Sequence, residues 1–298
     1  MPIKQFDTEA YPGNGQFKSL TATWHKEPYP RISPSRPELT ANGKVIFITG
    51  GGSGIGKATA IAFAEAGAKT IAIFGRRVEK LESAAREIQK ANSAVTVIPV
   101  SVDLSQRTAV DKAFENAAQQ AGGAAVDIFI SNAGILQELG TVSGYKEEHF
   151  RKGLESNMLS TFNAVQSILP HLAPKAKVFD VSSGIAHISP IPGVWAYAAT
   201  KAANTKLFQY LQAENPELHV VSIQPGVIVT EINANTYFET QDDINLPGHF
   251  QVWLASPEAE FLKGKFVWAN WDVDELISGA EQIRDPLALQ VLLNGVPM

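Results

Sequence analysis

The sequence predicts a single α/β domain built on a doubly wound, parallel, seven-stranded sheet with helices on both faces. Three observations point to it: seven short β-rich runs recur from residue 44 onward, amphipathic segments separate them, and the runs are apolar almost throughout rather than alternating. Near-continuous apolar strands belong to a sheet buried on both sides, and strand-helix alternation makes its strands parallel. Ligands of such sheets bind at the carboxyl ends of the strands.

The elements follow in chain order. The first forty residues hold six of the seventeen prolines together with Phe6, Tyr11, Phe17, Trp24 and Tyr29. Proline excludes regular structure there, and a free linker has no use for so many rings. Residues 1–40 therefore read as an arm packed on the domain or on a second subunit, and residues 41–298 as the domain. KVIFIT (44–49) is the first strand, and TGGGSGIGKA follows it, with glycines at the turn and at the start of a helix. KTIAIF (69–74) is the second strand, followed by Gly75, Arg76 and Arg77 and then by VEKLESAAREIQKAN. There Val78, Leu81, Ala85 and Ile88 recur at helical spacing. VTVIPVSV (95–102), VDIFIS (126–131), KVFDVS (177–182) and HVVSIQ (219–224) continue the sheet. AYAATKAAN (196–204) is helical and places Tyr197 and Lys201 on one face, one turn apart. After residue 231 no clear period is visible up to about 262, which reads as a lid over the substrate. Ser256-Pro257 reads as the N-cap and first residue of a helix in SPEAEFL, and KFVWAN (265–270) is the last strand.

Composition removes several function classes. The chain of 298 residues is 45% hydrophobic and 18% charged, enough apolar material for a sizeable core. Its net charge of −5, without a run of like charges, argues against nucleic acid or an anionic membrane as partner. No apolar stretch approaches the ~18 residues that span a bilayer, and the first residues lack the apolar core of a signal peptide. The cytoplasm is the expected location. The absence of cysteine removes thiol catalysis and disulfides. The six histidines are scattered, without a pair at metal-ligand spacing, so no metal site is expected.

The chemistry is carried by a set of motifs. Thr49, Gly50, Gly54 and Gly56 form the glycine-rich turn between a strand and a helix, with Ser53 and Ile55 inside it. Glycines there let backbone N–H groups approach a pyrophosphate, which the helix N-terminus also attracts. Asp103-Leu104 follows the third strand, and Asn132-Ala133-Gly134 follows the fourth. Asn157 lies in LESNMLSTF, Ser183 in VSSGIAH, and Tyr197 and Lys201 form YxxxK. Pro225-Gly226 then leads to Ile228 and Thr230.

In this order, over roughly residues 43 to 270, these residues resemble the short-chain dehydrogenase/reductase family, which has the Rossmann fold. The resemblance implies hydride transfer between a nicotinamide cofactor and a substrate carbon, and it assigns roles. Thr49, Gly50, Ser53, Gly54, Ile55, Gly56, Gly75, Asp103, Leu104, Asn132, Ala133, Gly134, Pro225, Gly226, Ile228 and Thr230 would hold the cofactor. Tyr197 would be the general acid/base and also touch the cofactor. Lys201 would hold the ribose and lower the phenol's pKa, Ser183 would hydrogen-bond the substrate oxygen, and Asn157 would hold a water linking Lys201 to solvent. Ser183 precedes Tyr197 by one residue more than the family's usual spacing. Ser182 would lie further still, so Ser183 is favoured. The extra residue falls in HISPIPGVW, which lines the substrate side in relatives.

Members that bind NAD usually present an acidic residue at the end of the second strand. This chain has Gly75 there, followed by Arg76 and Arg77 just before a helix N-terminus, where cations cost about 0.3–1 kcal/mol unless an anion is near. A 2′-phosphate held by a guanidinium fork supplies that anion, so NADP(H) is the expected cofactor ahead of NAD(H). Arg76 is the favoured partner of the two. Aromatic residues Tyr237, Phe238, Phe250 and Trp253 of the lid, with Trp195, suggest an apolar substrate, a ketone or secondary alcohol, or else pack the lid itself or a subunit contact. His187 is a further candidate at the substrate. The C-terminal stretch departs from the common glycine-rich ending and, with the arm, resembles a subset found in filamentous fungi, many of them in secondary metabolism. A homodimer through the helices around 145–170 and 197–213, or a homotetramer, is expected. The alternative is a cofactor-binding protein of this fold with a scaffold, sensor or non-redox role.

Overall fold

In the computed structural model, which describes residues 17–231 and 242–293, all seven apolar runs form strands of one parallel sheet. They are β1 (Val45–Thr49), β2 (Thr70–Gly75), β3 (Thr96–Ser101), β4 (Val126–Ser131), β5 (Leu172–Val181), β6 (His219–Gln224) and β7 (Phe266–Trp268). Their order is β3-β2-β1-β4-β5-β6-β7. The chain starts mid-sheet, winds outward through β2 and β3, and returns to β4 to wind the other way. That reversal opens a crevice at the carboxyl ends of β1 and β4.

The helices are α1 (Gly54–Glu65), α2 (Val78–Ala91), α3 (Arg107–Gln120), α4 (Glu147–Gly153), α5 (Ser160–Ile168), α6 (Trp195–Glu214), α7 (Leu246–Ala255), α8 (Val273–Ser278) and α9 (Ala280–Ile283). Alternate strand residues enter opposite cores, as a two-residue period requires. Ile46, Ile48, Ile71 and Ile73 pack with Phe63 of α1 and with Phe250 and Trp253 of α7. Phe47, Phe74 and Phe129 pack with Phe114 of α3 and Phe208 of α6 on the other face. The Phe74 and Phe114 ring centroids are 4.4 Å apart. β5 starts at Leu172, five residues before the run read from the sequence, and its register against β4 shifts between Val126 and Ile128.

The far end of the expected lid folds into the core instead. Phe250 and Trp253 are fully buried, and a Cβ on Gly248 would stand 3.1 Å from the backbone oxygen of Ala58 on α1. Such close helix-helix approach makes α7 part of the core, so these two rings have no access to a substrate. Gln251 Nε2 adds a buried bond to Thr59 Oγ1 at 3.0 Å. Pro257–Leu262 forms a 3₁₀ helix, and Ser256 Oγ accepts from the Glu258 N–H at 3.3 Å as its cap.

From residue 17 the arm lies on the β7 edge of the sheet. Phe17 and Trp24 pack on Trp268 at 5.2 and 5.8 Å, and Trp24 bridges Trp271 in antiparallel fashion. The Glu275 carboxylate accepts from the N–H groups of Ala22 and Thr23 at 2.6 and 2.9 Å. Arg31 and Arg36 both reach Glu258, at 3.0 and 2.9 Å. Prolines 30 and 37 each open a single 3₁₀ turn rather than excluding structure altogether. Phe6 and Tyr11 lie outside the described residues.

Candidate active site

A cavity of about 610 Å³ opens at the carboxyl ends of the strands. On its β2 side lie Gly50, Ser53, Gly54, Ile55, Gly75, Arg76, Arg77, Asp103 and Leu104. Asn132, Ala133 and Gly134 line its middle. Val181, Ser182, Tyr197, Lys201, Pro225 and Thr230 close the far side.

The glycine turn and the loop after β4 are locked to each other. Gly50 has φ +69°, a left-handed conformation that glycine adopts without strain. Thr49 is 1% exposed; its Oγ1 accepts from the N–H groups of Asn132 and Ala133 at 2.9 and 3.1 Å. Asn132 Nδ2 donates back to the Thr49 carbonyl at 3.0 Å. A Cβ on Gly56 would meet Asn132 Nδ2 and the Gly50 oxygen, both at 2.5 Å. Only glycine lets α1 begin this close to the sheet. The N-terminus of α1 carries no side-chain cap, and the residues around it line the cavity. Its N–H groups and partial positive charge therefore suit a phosphate. Thr230 Cγ2 lies over Gly54, 3.5 Å from where a Cβ would stand, so the stretch after β6 faces the α1 N-terminus.

The two arginines differ. Arg77 is paired: Nη1 lies 2.7 Å from Glu231 Oε2 and Nη2 donates to Ser53 Oγ at 3.3 Å. Lys80 reaches the same carboxylate at 2.9 Å, and these bonds hold the Glu231 carboxyl below its usual range. Arg76 lines the cavity and has no ion-pair partner among the described residues. Lys57, just past the turn, pairs with Glu87 at 2.7 Å on the surface. Asp103 Oδ1 accepts from the Ser105 N–H at 3.0 Å, and the Leu104 carbonyl accepts from Asn163 Nδ2 at 2.9 Å. Both bonds fix the loop after β3 at the cavity rim.

On the far side, Lys201 is 6% exposed and its Nζ donates to the Val181 carbonyl at 2.8 Å. Nζ lies 5.7 Å from the centroid of the Tyr197 ring, so the phenol and ammonium share one end of the cavity. Ser182 turns inward, with Oγ 3.0 Å from Thr205 Oγ1. Ser183 caps the next 3₁₀ turn, Oγ accepting from the Ile185 N–H at 3.4 Å. The Ser182 hydroxyl is thus committed to the interior, while the Ser183 hydroxyl lies one residue further along, in the turn beside the cavity.

Asn157 sits in a π-helical turn, Leu154–Leu159, between α4 and α5. Its Oδ1 accepts from the Ile135 N–H at 2.8 Å and its Nδ2 donates to the Ile135 carbonyl at 2.9 Å. Its own carbonyl accepts from Thr161 Oγ1 at 2.7 Å and Asn204 Nδ2 at 3.0 Å. Asn157 therefore clamps the loop after Gly134, with Oδ1 3.3 Å from a Cβ built on Gly134 and Lys201 Nζ 3.9 Å from the same point.

Pro225 lines the cavity, and Gly226 turns the chain so that the Val227 N–H meets Asp242 Oδ2 at 2.7 Å; Ile228 is buried in the same loop. Trp195 packs on Phe150 and Tyr145, centroids 5.4 and 5.1 Å away. The His187 ring packs edge-on against Phe266 and accepts from Trp268 Nε1 at 3.2 Å. Neither side chain lines the cavity. Tyr237 and Phe238 lie outside the described residues. No group of three or more potential ligands is placed to hold a metal ion among the described residues.

Gln137, which no local pattern in the sequence marks, ties this end together. Its Nε2 donates to the Ala196 carbonyl at 3.1 Å and its Oε1 accepts from Asn157 Nδ2 at 3.2 Å. Gly153 makes the room, since a Cβ there would stand 2.4 Å from Gln137 Nε2. A glutamine in a loop and a glycine in a helix carry no joint signal until the fold brings them together. Glu231 carried no local signal either, because its partners Arg77 and Lys80 lie some 150 residues earlier, at the start of α2.

The family model for the short chain dehydrogenase matches residues 44–241. A short chain dehydrogenase/reductase, AacuD, of the fungus Aspergillus aculeatus is 34% identical over 274 residues, covering 90% of this chain and 94% of that protein. A 7α-hydroxysteroid dehydrogenase solved with NADH and 7-oxo glycochenodeoxycholic acid superposes with a TM-score of 0.71 at 24% identity, over 78% of this chain and 95% of that one. A short chain dehydrogenase from Burkholderia cenocepacia solved with NADP gives 0.68 at 22% identity, over 78% and 99%. No helix among the described residues is long and apolar enough to cross a membrane. The glycine turn locked to the β4 loop, the sheet reversal that opens the crevice and the family model's match to about two thirds of the sequence agree, and the chain belongs to the short chain dehydrogenase/reductase family of nicotinamide-dependent oxidoreductases.

Proposed function

We propose that the protein transfers a hydride between NADP(H) and an apolar ketone or secondary alcohol, with Tyr197 as general acid/base. The observation that carries this reading is the buried Lys201 ammonium, held by the Val181 carbonyl on the same helix face as the Tyr197 phenol at the cavity end. A free phenol has a pKa near 10, and an adjacent fixed cation favours the phenolate. The nicotinamide supplies or accepts the hydride when bound. Tyr197 gives a proton to the carbonyl oxygen in reduction and takes it back in oxidation. Ser183, next to the cavity-lining Ser182, is the hydroxyl left to hydrogen-bond the same oxygen as its charge changes, because Ser182 is turned to Thr205. Lys201 holds the ribose and Asn157 keeps the Gly134-Ile135 loop in place beside it. Ile135, Leu136 and Pro225 at this end of the cavity favour an apolar substrate.

The cofactor reading rests on residues rather than on the fold, since solved neighbours of the same fold hold NADP in one case and NADH in another. Arg76 lines the cavity beyond β2, and Gly75 stands where a carboxylate would repel a 2′-phosphate. The α1 N-terminus, Asp103, Leu104 and the Asn132-Ala133-Gly134 loop would hold the rest of the dinucleotide. NADPH consumption across a panel of ketones tests the reading, with Tyr197→Phe beside the wild type. The variant is expected to lose about a hundred-fold or more in kcat while still binding NADPH; equal turnover by the two proteins would overturn the mechanism. We also propose a homodimer or homotetramer, supported by the exposed Met158 and Leu159 just before α5, Phe162 on α5 and Tyr210 on α6.

A further inference from the structure

One face of β5 carries a carboxylate in an otherwise apolar interior. Val178 and Val220 pack in the core that contains Phe208 and Leu211 of α6, whereas Phe179 and Val181 belong to the opposite core. By alternation Asp180, Ser182 and Ser222 look toward α6. Asp180 is 2% exposed, and its Oδ2 accepts from Ser222 Oγ on β6 at 3.0 Å. Ser182 Oγ meets Thr205 Oγ1 at 3.0 Å, and Thr205 donates to the Lys201 carbonyl at 3.0 Å. Lys201 Nζ in turn is held by the carbonyl of Val181, the residue next to Asp180. The carboxylate and the ammonium are therefore enclosed by the same end of β5 and the same turn of α6.

Burial raises the Asp180 carboxyl to about 6; against it act first the Lys201 ammonium and then the hydroxyls of Ser222 and Ser182. The Lys201 ammonium acts on it through space, since the two groups stand beyond direct ion-pair distance. A buried carboxylate stays charged only as far as donors and a nearby cation favour that form; here Ser222 is the donor and Lys201 the cation. The acid/base role of Tyr197 described above makes no use of Asp180.

We propose that Asp180 is a positioning residue of the hydride-transfer site: its buried carboxylate is the fixed counter-charge of Lys201 and, through that lysine, sets the acidity of Tyr197. The part concerning Tyr197 rests on the oxidoreductase reading above. An ionised Asp180 steadies the ammonium and offsets part of its pull on the phenol, so the tyrosine is a weaker acid while Asp180 is charged.

Two measurements test this. Carboxyl ¹³C NMR of aspartate-labelled protein, assigned with Asp180→Asn, follows the carboxyl without any substrate. Its midpoint should lie near 6 in the wild type and rise by about one unit in Lys201→Met. It should rise also in Ser222→Ala, which keeps the charge and removes one donor. A midpoint unmoved in Lys201→Met overturns the pairing, whatever Ser222→Ala does. The pH profile of kcat/KM for alcohol oxidation reads the consequence. In Asp180→Asn the limb that reports Tyr197 should move down by about one unit, and the two profiles should converge at acid pH, where the wild-type carboxyl is neutral. A uniform drop in rate with unmoved limbs would mark a merely structural residue and overturn the proposal. If the wild type turns over no substrate, the oxidoreductase reading fails, while the NMR midpoint still decides whether Asp180 answers Lys201.

Discussion

Arg76 and Arg77 are neighbours in the chain yet stand in different electrostatic company. Glu231 and Ser53 occupy the Arg77 guanidinium, whereas Arg76 is left to face the cavity. A charge-assisted bond to a 2′-phosphate is worth about 1.5–3 kcal/mol, so Arg76→Ala should weaken NADPH binding about ten- to a hundred-fold and leave NADH binding nearly unchanged. Fluorescence titration with both cofactors checks this, and an equal loss for the two would remove Arg76 from the phosphate site. The sequence marked both arginines through the absence of an acidic residue after β2. Only the long-range ion pair from Glu231 distinguishes them, and no local pattern carries it.

At the scale of elements, the site is a set of chain segments fixed at close range. The α1 start, the loop after β4 and the π-helical turn each depend on a contact with no slack. Gly56 shows the mechanism: a Cβ would lie 2.5 Å from the Gly50 carbonyl oxygen, a backbone atom that cannot swing aside. Gly56→Ala is expected to cost about 1–3 kcal/mol, the usual range for overpacking, and to weaken dinucleotide binding because α1 must back away from the turn. A thermal melt together with cofactor titration reads both effects; an unchanged melting temperature would show that the turn relaxes freely. The turn was legible beforehand, since glycine spacing after a strand has a local cause. The π-helical turn that aims Asn157 was not, because the single extra backbone residue per turn leaves no trace in side-chain periodicity.

For the whole molecule, the arm and α7 decide which surfaces remain open. Phe17, Trp24 and Tyr29 serve the β7 edge, where Trp268 and Trp271 would otherwise stand uncovered, and a covered strand edge cannot recruit another chain. The apolar side chains left exposed at the start of α5, namely Met158, Leu159 and Phe162, 40–43% exposed, are better placed for association. Phe162→Glu should therefore shift the protein toward monomer in light scattering without lowering its cofactor affinity. Identical masses for the variant and the wild type would exclude this face as the contact.

What the sequence determined by itself was whatever depends on near neighbours in the chain. That covers seven apolar strands and their parallel winding, the glycine turn, and the pairing of Tyr197 with Lys201 by helical geometry. Local periodicity and backbone stereochemistry suffice for each of these. Tertiary structure alone decided which polar residues face one another across the sheet. It turned Ser182 inward, gave Glu231 to Arg77, sent Phe250 and Trp253 into the core, and brought Asp180 and Lys201 into one buried enclosure. The aspartate in KVFDVS did break an apolar run, a visible sign of a buried charge. Its partner comes from a helix begun after the strand ends, and burial in low dielectric, which gives the pair its strength, exists only once β5, β6 and α6 close around it.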